Sequence, residues 1–289
     1  MEKMIAAGQI TIRRLTETDL DAADAILIPA YGIARSRKRE LRRYLTLQPD
    51  GWLLAAIDGQ PVGLVGATDY GPFAYIGLMA VHPAAQRRGI GMALMQQLLA
   101  WLDERDCPVA LLDASDSGAP LYEKLGFVDQ EKALVFRQDD CALRPRPSDR
   151  VAPLQAADLT ALADFDAPIF GARRQAVFDA YFADHPDRAF VARDEAGRIS
   201  GYLFAQPQAL GPWAAREPAD AEALLAAALA LQFEDAPRVI FPSSNVHAGG
   251  LLMRYGFSPQ RSLRHMRRGD EGAPGRRAML YGQASFAIG

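Results

Sequence analysis

The stretch Leu78-Met79-Ala80-Val81-His82-Pro83-Ala84-Ala85-Gln86-Arg87-Arg88-Gly89-Ile90-Gly91 joins an apolar strand to a helix through a short charged loop. The helix that follows is amphipathic: Ile90, Leu94, Leu98 and Leu102 recur four residues apart on one face. Glycine lacks a Cβ, so this loop can curl and let a ligand come close to its backbone. The first amides of a helix have no internal partner and carry the positive end of its dipole. Together these features make a cradle for a diphosphate, and Arg87 and Arg88 add positive charge at its rim. The spacing is Gln-x-x-Gly-x-Gly, so the Gly-x-Gly-x-x-Gly of dinucleotide-binding loops does not match, and the lysine of a P-loop is missing.

On both sides of this segment the first half alternates strand and helix signals. Residues 10–15 read as a strand, after which Thr16 and Asp19 form a reciprocal helix cap. A helix is predicted over 37–47, where the basic run 35–43 lies on the wet face opposite Leu41, Tyr44 and Leu45. Residues 52–57 and 61–68 flank Asp58-Gly59 and read as a hairpin. An apolar strand follows over 74–81, then a helix over 90–102 and a buried strand over 109–112. A short helix over 120–125 stops at Gly126, and a strand covers 127–136.

Residues 137–150 contain Pro145 and Pro147, have no period and read as a linker. A second round then echoes the first. Leu154, Asp158 and Leu159 repeat Leu15, Asp19 and Leu20. A shift of 130 residues lays Val239-Ile240-Phe241-Pro242 over Val109-Ala110-Leu111-Leu112, and Leu251, Gly256 and Phe257 over Leu121, Gly126 and Phe127. This is an internal repeat of domain length. The expected fold is α/β, a mixed β-sheet flanked by helices, built twice: residues 1–137, a linker 138–150, and residues 151–289.

Composition narrows the function classes. The chain has 289 residues, 49% hydrophobic and 23% charged, enough for a core without staples. A net charge of −3 argues against nucleic-acid binding. Two cysteines, Cys107 and Cys141, and four scattered histidines form neither a disulfide framework nor a metal cluster. No signal-like core opens the chain, and no apolar run approaches the ~20 residues of a membrane span. The expectation is a soluble cytoplasmic protein.

The segment from Gln86 to Gly91, preceded by Val81-His82-Pro83, resembles the acetyl-CoA diphosphate motif of the GNAT (Gcn5-related N-acetyltransferase) superfamily. Ala119-Pro120-Leu121-Tyr122-Glu123-Lys124-Leu125-Gly126-Phe127 resembles the late helix and turn of the same superfamily. The second half resembles a degenerate GNAT repeat of tandem bacterial members, as does the ending Tyr281-Gly282-Gln283-Ala284.

The resemblance implies an acyl-CoA-dependent N-acyltransferase, with acetyl-CoA as co-substrate and no metal. An unprotonated amine attacks the thioester carbonyl, and a backbone N–H on the splayed fourth strand, at Met79 or Ala80, meets the developing oxyanion. Tyr122 matches the residue that protonates the departing thiolate; the alternative is a core aromatic with its hydroxyl on a backbone carbonyl. Cofactor contacts are implied for Met79, Ala80, Val81, Gln86, Arg87, Arg88, Gly89, Ile90, Gly91, Met92, Ser117 and Tyr122. Ser117 also reads as the cap of the late helix, and Asp113 and Ser115 follow the fifth strand where family members contact acceptor or cofactor.

The base is open. Residues 74–81 contain no acid, Asp69, Tyr70 and His82 read as turn or surface residues, and ordered water is an equal route. The acceptor is a small-molecule or peptide amine, and the chain a monomer or homodimer. A non-catalytic acyl-CoA sensor is the competing reading; it would keep the loop without needing Tyr122.

The same 130-residue shift places Arg216-Glu217-Pro218-Ala219-Asp220-Ala221 over Gln86 to Gly91, and Leu252 over Tyr122. Both glycines become alanine, and two carboxylates enter a site meant for phosphates. This half is expected to keep the fold without the cofactor. Tyr202, Phe204, Trp213 and His247 either line an acceptor pocket or pack as core.

Overall fold

The computed structural model describes residues 9–139, 148–270 and 274–289; Cys141, Pro145 and Pro147 of the linker lie outside them. The chain forms two compact units, one of residues 1–69 and 74–108, the other of residues 70–73 and 109–289.

The first unit is a four-stranded antiparallel sheet in the order β1 (Ile10–Arg14), β2 (Trp52–Ile57), β3 (Gln60–Asp69), β4 (Ala74–Val81). Helices α1 (Leu20–Tyr31), α2 (Lys38–Leu47) and α3 (Ile90–Asp103) belong to it. Thr16 and Asp19 form the expected capping box ahead of α1. Arg13 grips the same Asp19 carboxylate at 2.6 Å and holds it well below the usual carboxylate range. Asp58 and Gly59 both take positive φ, as a tight hairpin turn requires, and Ile57 pairs with Gln60. Leu94, Leu98 and Leu102 of α3 are buried as their spacing predicts.

The second unit has the strand order β5-β12-β6-β11-β10-β9-β8-β7: β5 (Val109–Ala114), β6 (Val128–Gln138), β7 (Val151–Pro153), β8 (Ala189–Arg193), β9 (Ile199–Gln206), β10 (Ala209–Ala215), β11 (Arg238–Pro242) and β12 (Phe257–Gly269). A short β13 (Leu280–Gly282) pairs with β10. Its helices are α4 (Ala119–Glu123), α5 (Leu159–Phe170), α6 (Gln175–Asp184), α7 (Pro218–Leu229) and α8 (Ala248–Arg254).

The repeat is visible in local detail. Both α1 and α5 have 12 residues, follow a capping box, carry proline near the end (Pro29, Pro168) and stop at a left-handed glycine (Gly32, Gly171). The sequence does not announce how the two repeats share their last strands. β12 enters between β5 and β6, while β6 pairs with β11. Each repeat thus lends its final strand to the other's sheet. Ala133 pairs with Leu263, its own counterpart under the 130-residue shift, so a local pseudo-twofold passes between them. Around it Ala133, Val135, Ile240 and Leu263 form a buried cluster.

Candidate active site

The bend that shapes the site begins inside β4. Gly66 pairs with Gly77 and Leu64 with Ala80, which leaves Val65 facing both Leu78 and Met79. This is a β-bulge, and Leu78 sits in it at φ +53. A leucine in the left-handed region costs about 1–2 kcal/mol, which the surrounding strand pairing must hold in place. Tyr31 Oη donates to the Met79 carbonyl at 3.0 Å, fixing the orientation of that peptide.

Beyond β4 the chain makes a short turn over Pro83–Ala85, with His82 Nδ1 accepting from the Ala84 amide at 3.3 Å. Gln86 then donates through Nε2 to the Val81 carbonyl at 3.1 Å, tying the loop back to the end of the strand. Arg87 (φ +60) and Gly89 (φ +82) both take left-handed backbone, which turns successive peptides to one side. Space beside Gly89 is open, so it is φ that calls for glycine there. Among the described residues, no protein acceptor meets the amides of Arg87, Arg88, Gly89, Ile90, Gly91 or Met92; the first amide of the segment to find one is Ala93, on Gly89. Arg87 and Arg88 are exposed and have no ion-pair partner among the described residues. Six consecutive free donors at a helix start, beside two unpaired guanidinium groups, fit a diphosphate in geometry and charge.

Tyr122 lies in α4, in the second unit. Its ring is buried, edge-on to Phe127 with centroids 5.9 Å apart. Its hydroxyl has no hydrogen-bond partner among the described residues. Burial pushes the phenol up to about 12. Gly118, not Ser117, stands at the N-cap of α4, with no side-chain cap; Ser115 Oγ accepts from the Gly118 amide at 3.2 Å and shares a hydrogen bond with the Ser117 hydroxyl at 3.1 Å.

Asp113 was expected to follow β5 but lies within it, one register position from the end of the pairing with β12. Its carboxylate is paired with the His265 ring at 2.8 Å, and both side chains are essentially inaccessible. On the other side His265 faces Glu131 of β6 in register. Burial drives the Glu131 carboxyl up, but contacts with Arg277 and the Ser244 amide outweigh it and keep the group low. A three-strand polar row therefore crosses the sheet where the repeats interlock. No sequence pattern pointed to it: under the 130-residue shift His265 corresponds to Val135, so its partner follows only from the strand exchange. His265→Ala should lower stability by about 1–3 kcal/mol, the usual loss when a buried group is deprived of a hydrogen-bond partner. A urea melt with an unchanged midpoint would contradict this.

The candidates for the base are occupied. Asp69 accepts from Arg105 Nε at 3.0 Å, and Tyr70 donates to the Ile288 carbonyl at 2.7 Å. Tyr202, Phe204 and Trp213 are buried in the second unit, and His247 is exposed at the start of α8.

Two family models match the chain in tandem: the acetyltransferase (GNAT) family over residues 20–127 and an acetyltransferase (GNAT) domain over residues 162–282. The chain belongs to the GNAT family. It is an acyl-CoA-dependent N-acyltransferase of that family, with two GNAT domains in one chain. It is 25% identical to a holothin acyltransferase of a Pseudoalteromonas strain, across 86% of this chain and 85% of that one. It is 31% identical to a mycothiol acetyltransferase of Parafrankia, over 45% of this chain and 40% of the other. A crystal structure of a putative acetyltransferase from Pyrococcus horikoshii superposes with a TM-score of 0.86 at 28% identity, covering 100% of this chain and 99% of that one. No helix among the described residues is long and apolar enough to cross a membrane.

Proposed function

We propose that the chain transfers an acetyl group from acetyl-CoA to an amine of a small molecule, using the residues of its first GNAT repeat. The observation that carries this reading is the run of six unpartnered amides from Arg87 to Met92 beside two unpaired arginines. Those amides and the guanidinium groups of Arg87 and Arg88 hold the diphosphate, and Gln86 keeps the loop in shape through Val81. When bound, acetyl-CoA supplies an activated acyl carbon and a thiolate leaving group. The bulge at Leu78 and Met79 aims a backbone N–H of Met79 or Ala80 at the carbonyl oxygen, where charge develops. Tyr122 donates its hydroxyl proton towards the departing sulfur. The acceptor amine attacks as its free base, and its surplus proton leaves through ordered water. Relatives named for holothin and mycothiol support a small-molecule acceptor.

The second repeat, taken as residues 151–289 after a linker over 138–150, carries no second cofactor site in this reading. Its helix α7 begins at Pro218, the counterpart of Arg88, so the loop is absorbed into the helix and a proline stands where an amide would donate. The positive φ of Arg87 and Gly89 has no counterpart at Glu217 or Ala219.

Calorimetry with acetyl-CoA, paired with thiol release over an amine panel, tests the assignment. One equivalent should bind, and the double variant Arg87→Ala, Arg88→Ala should weaken binding at least about tenfold, since charge-assisted hydrogen bonds are worth about 1.5–3 kcal/mol each. Two equivalents would reject the single-site reading. No binding at all would reject the transferase reading of the loop, and binding without turnover of any amine would make the chain a sensor.

A further inference from the structure

Of the two amides offered to the oxyanion, the geometry of β4 selects one. His82 donates to the Val62 carbonyl at 2.8 Å, and in the same register Gly63 pairs with Val81 and Leu64 with Ala80. Hydrogen-bonded and non-hydrogen-bonded pairs alternate along an antiparallel ladder, so Leu64 and Ala80 form a bonded pair and the Ala80 amide is spent on β3. Met79, one residue earlier, presents its N–H and C=O on the opposite edge of the strand. Two side chains mark that edge. Gln86 Nε2 reaches the Val81 carbonyl at 3.1 Å, and Tyr31 Oη reaches the Met79 carbonyl at 3.0 Å.

Tyr31 adds little to the core. It is the last residue of α1, 44% exposed, just ahead of the left-handed Gly32. What its hydroxyl grips is the residue after Leu78, whose φ of +53 is the strained point of the strand. Because the N–H and C=O of Met79 share one edge, a bond to the carbonyl also fixes the direction of the amide. Without that bond the bulge has one restraint fewer against rotation of Met79.

The second repeat supplies an internal comparison. A shift of 139 residues lays Leu159, Pro168 and Gly171 over Leu20, Pro29 and Gly32, and so lays Phe170 over Tyr31. The ring is kept and the hydroxyl is missing. Phe170 is 4% exposed, edge-on to Tyr70 at 4.9 Å and under the Arg174 guanidinium at 3.8 Å. A bare ring therefore completes this helix end where no acyl transfer is assigned. The hydroxyl belongs to the repeat whose loop holds the free amides.

We propose that Tyr31 is a positioning residue for acyl transfer, its hydroxyl holding the Met79 carbonyl so that the Met79 amide points at the thioester oxygen. This rests on the reading of β4 as the oxyanion donor, and the experiment separates the two. Acetyl-CoA labelled with carbon-13 at the thioester carbonyl is bound to the full chain, and isotope-edited infrared spectra compare wild type with Tyr31→Phe. A hydrogen bond to a carbonyl lowers its stretching frequency. The wild-type band should lie below that of free acetyl-CoA, and Tyr31→Phe should move it most of the way back. Calorimetric affinity for acetyl-CoA should be unchanged, because the loop amides that hold the diphosphate are untouched. With an amine that turns over, kcat should fall about tenfold, short of the roughly 10²–10³-fold cost of losing an oxyanion donor outright. If either the band or kcat of Tyr31→Phe matches the wild type, the role of Tyr31 is overturned while the oxyanion reading stands. A wild-type band at the free position overturns both. A band that moves back only together with lost acetyl-CoA affinity marks a general distortion and also overturns the positioning role.

Discussion

Tyr122→Phe should slow acetyl transfer by roughly 10²-fold while leaving acetyl-CoA affinity nearly unchanged, because general acid catalysis by a positioned group is worth about 10²–10⁴-fold. The substitution removes one oxygen from a buried ring and breaks no hydrogen bond within the protein, since that hydroxyl has no partner among the described residues. The fold should therefore be intact, and single-turnover kinetics would report the chemistry. The pH profile sharpens the test. A phenol is an acid only in its neutral form, which is populated below its pKa, and burial puts that value at about 12. Tyr122 should thus stay competent across the accessible range. Rates should rise with pH as the acceptor amine loses its proton, with no descending limb below about pH 11. The raised pKa also shapes the role. With its pKa raised, the role proposed for the hydroxyl is to hydrogen-bond the sulfur as charge builds rather than to complete the proton transfer. A variant with wild-type kcat, or an alkaline limb near pH 8, would remove Tyr122 from the mechanism.

The loop at Gln86 was legible because its chemistry is local. Glycine at a left-handed φ, free amides at a helix start and adjacent arginines are all fixed by neighbours in sequence. Boundaries of β4 and α3 followed from the same local signals. Asp113 was misplaced because its strand continues to Ala114, where pairing with Arg264 of β12 extends β5 past its apolar run. The helix start of α4 fell on Gly118 rather than Ser117 because the turn before it is closed by the Ser115 carbonyl, which accepts from the Gly118 and Ala119 amides. The His265–Asp113 pair lay beyond any sequence reading, since 152 residues separate its members and only the strand exchange brings them together.

That exchange also changes what the second repeat is for. A repeat that merely walls a pocket could be removed, but here β12 is the strand on which β5 and β6 close. Arg264 of β12 binds Glu123 in α4 at 2.8 Å and Asp129 at 2.7 Å, so the helix that carries Tyr122 is anchored by the other repeat. Retaining the second repeat is then a structural requirement of the first.

A chain cut after residue 139 should accordingly fail to yield a folded, active domain. It would expose β5 and β6 along the edges that β12 covers, inviting edge-to-edge aggregation. It would also strip Asp113 of its hydrogen bond to His265, a loss of about 1–3 kcal/mol for a buried group, against a total stability of about 5–15 kcal/mol for a typical domain. Expression of residues 1–139 alone should give insoluble protein or a non-cooperative melt by circular dichroism. The exchanged strands are held by pairing among described residues, which calls for no covalent link between the fragments. Co-expression of residues 1–139 with residues 148–289 should therefore restore a soluble complex with a cooperative melt and acetyl-CoA binding. A soluble, active first fragment would show that β12 is dispensable, and the interlocked sheet would no longer explain why the second repeat is kept.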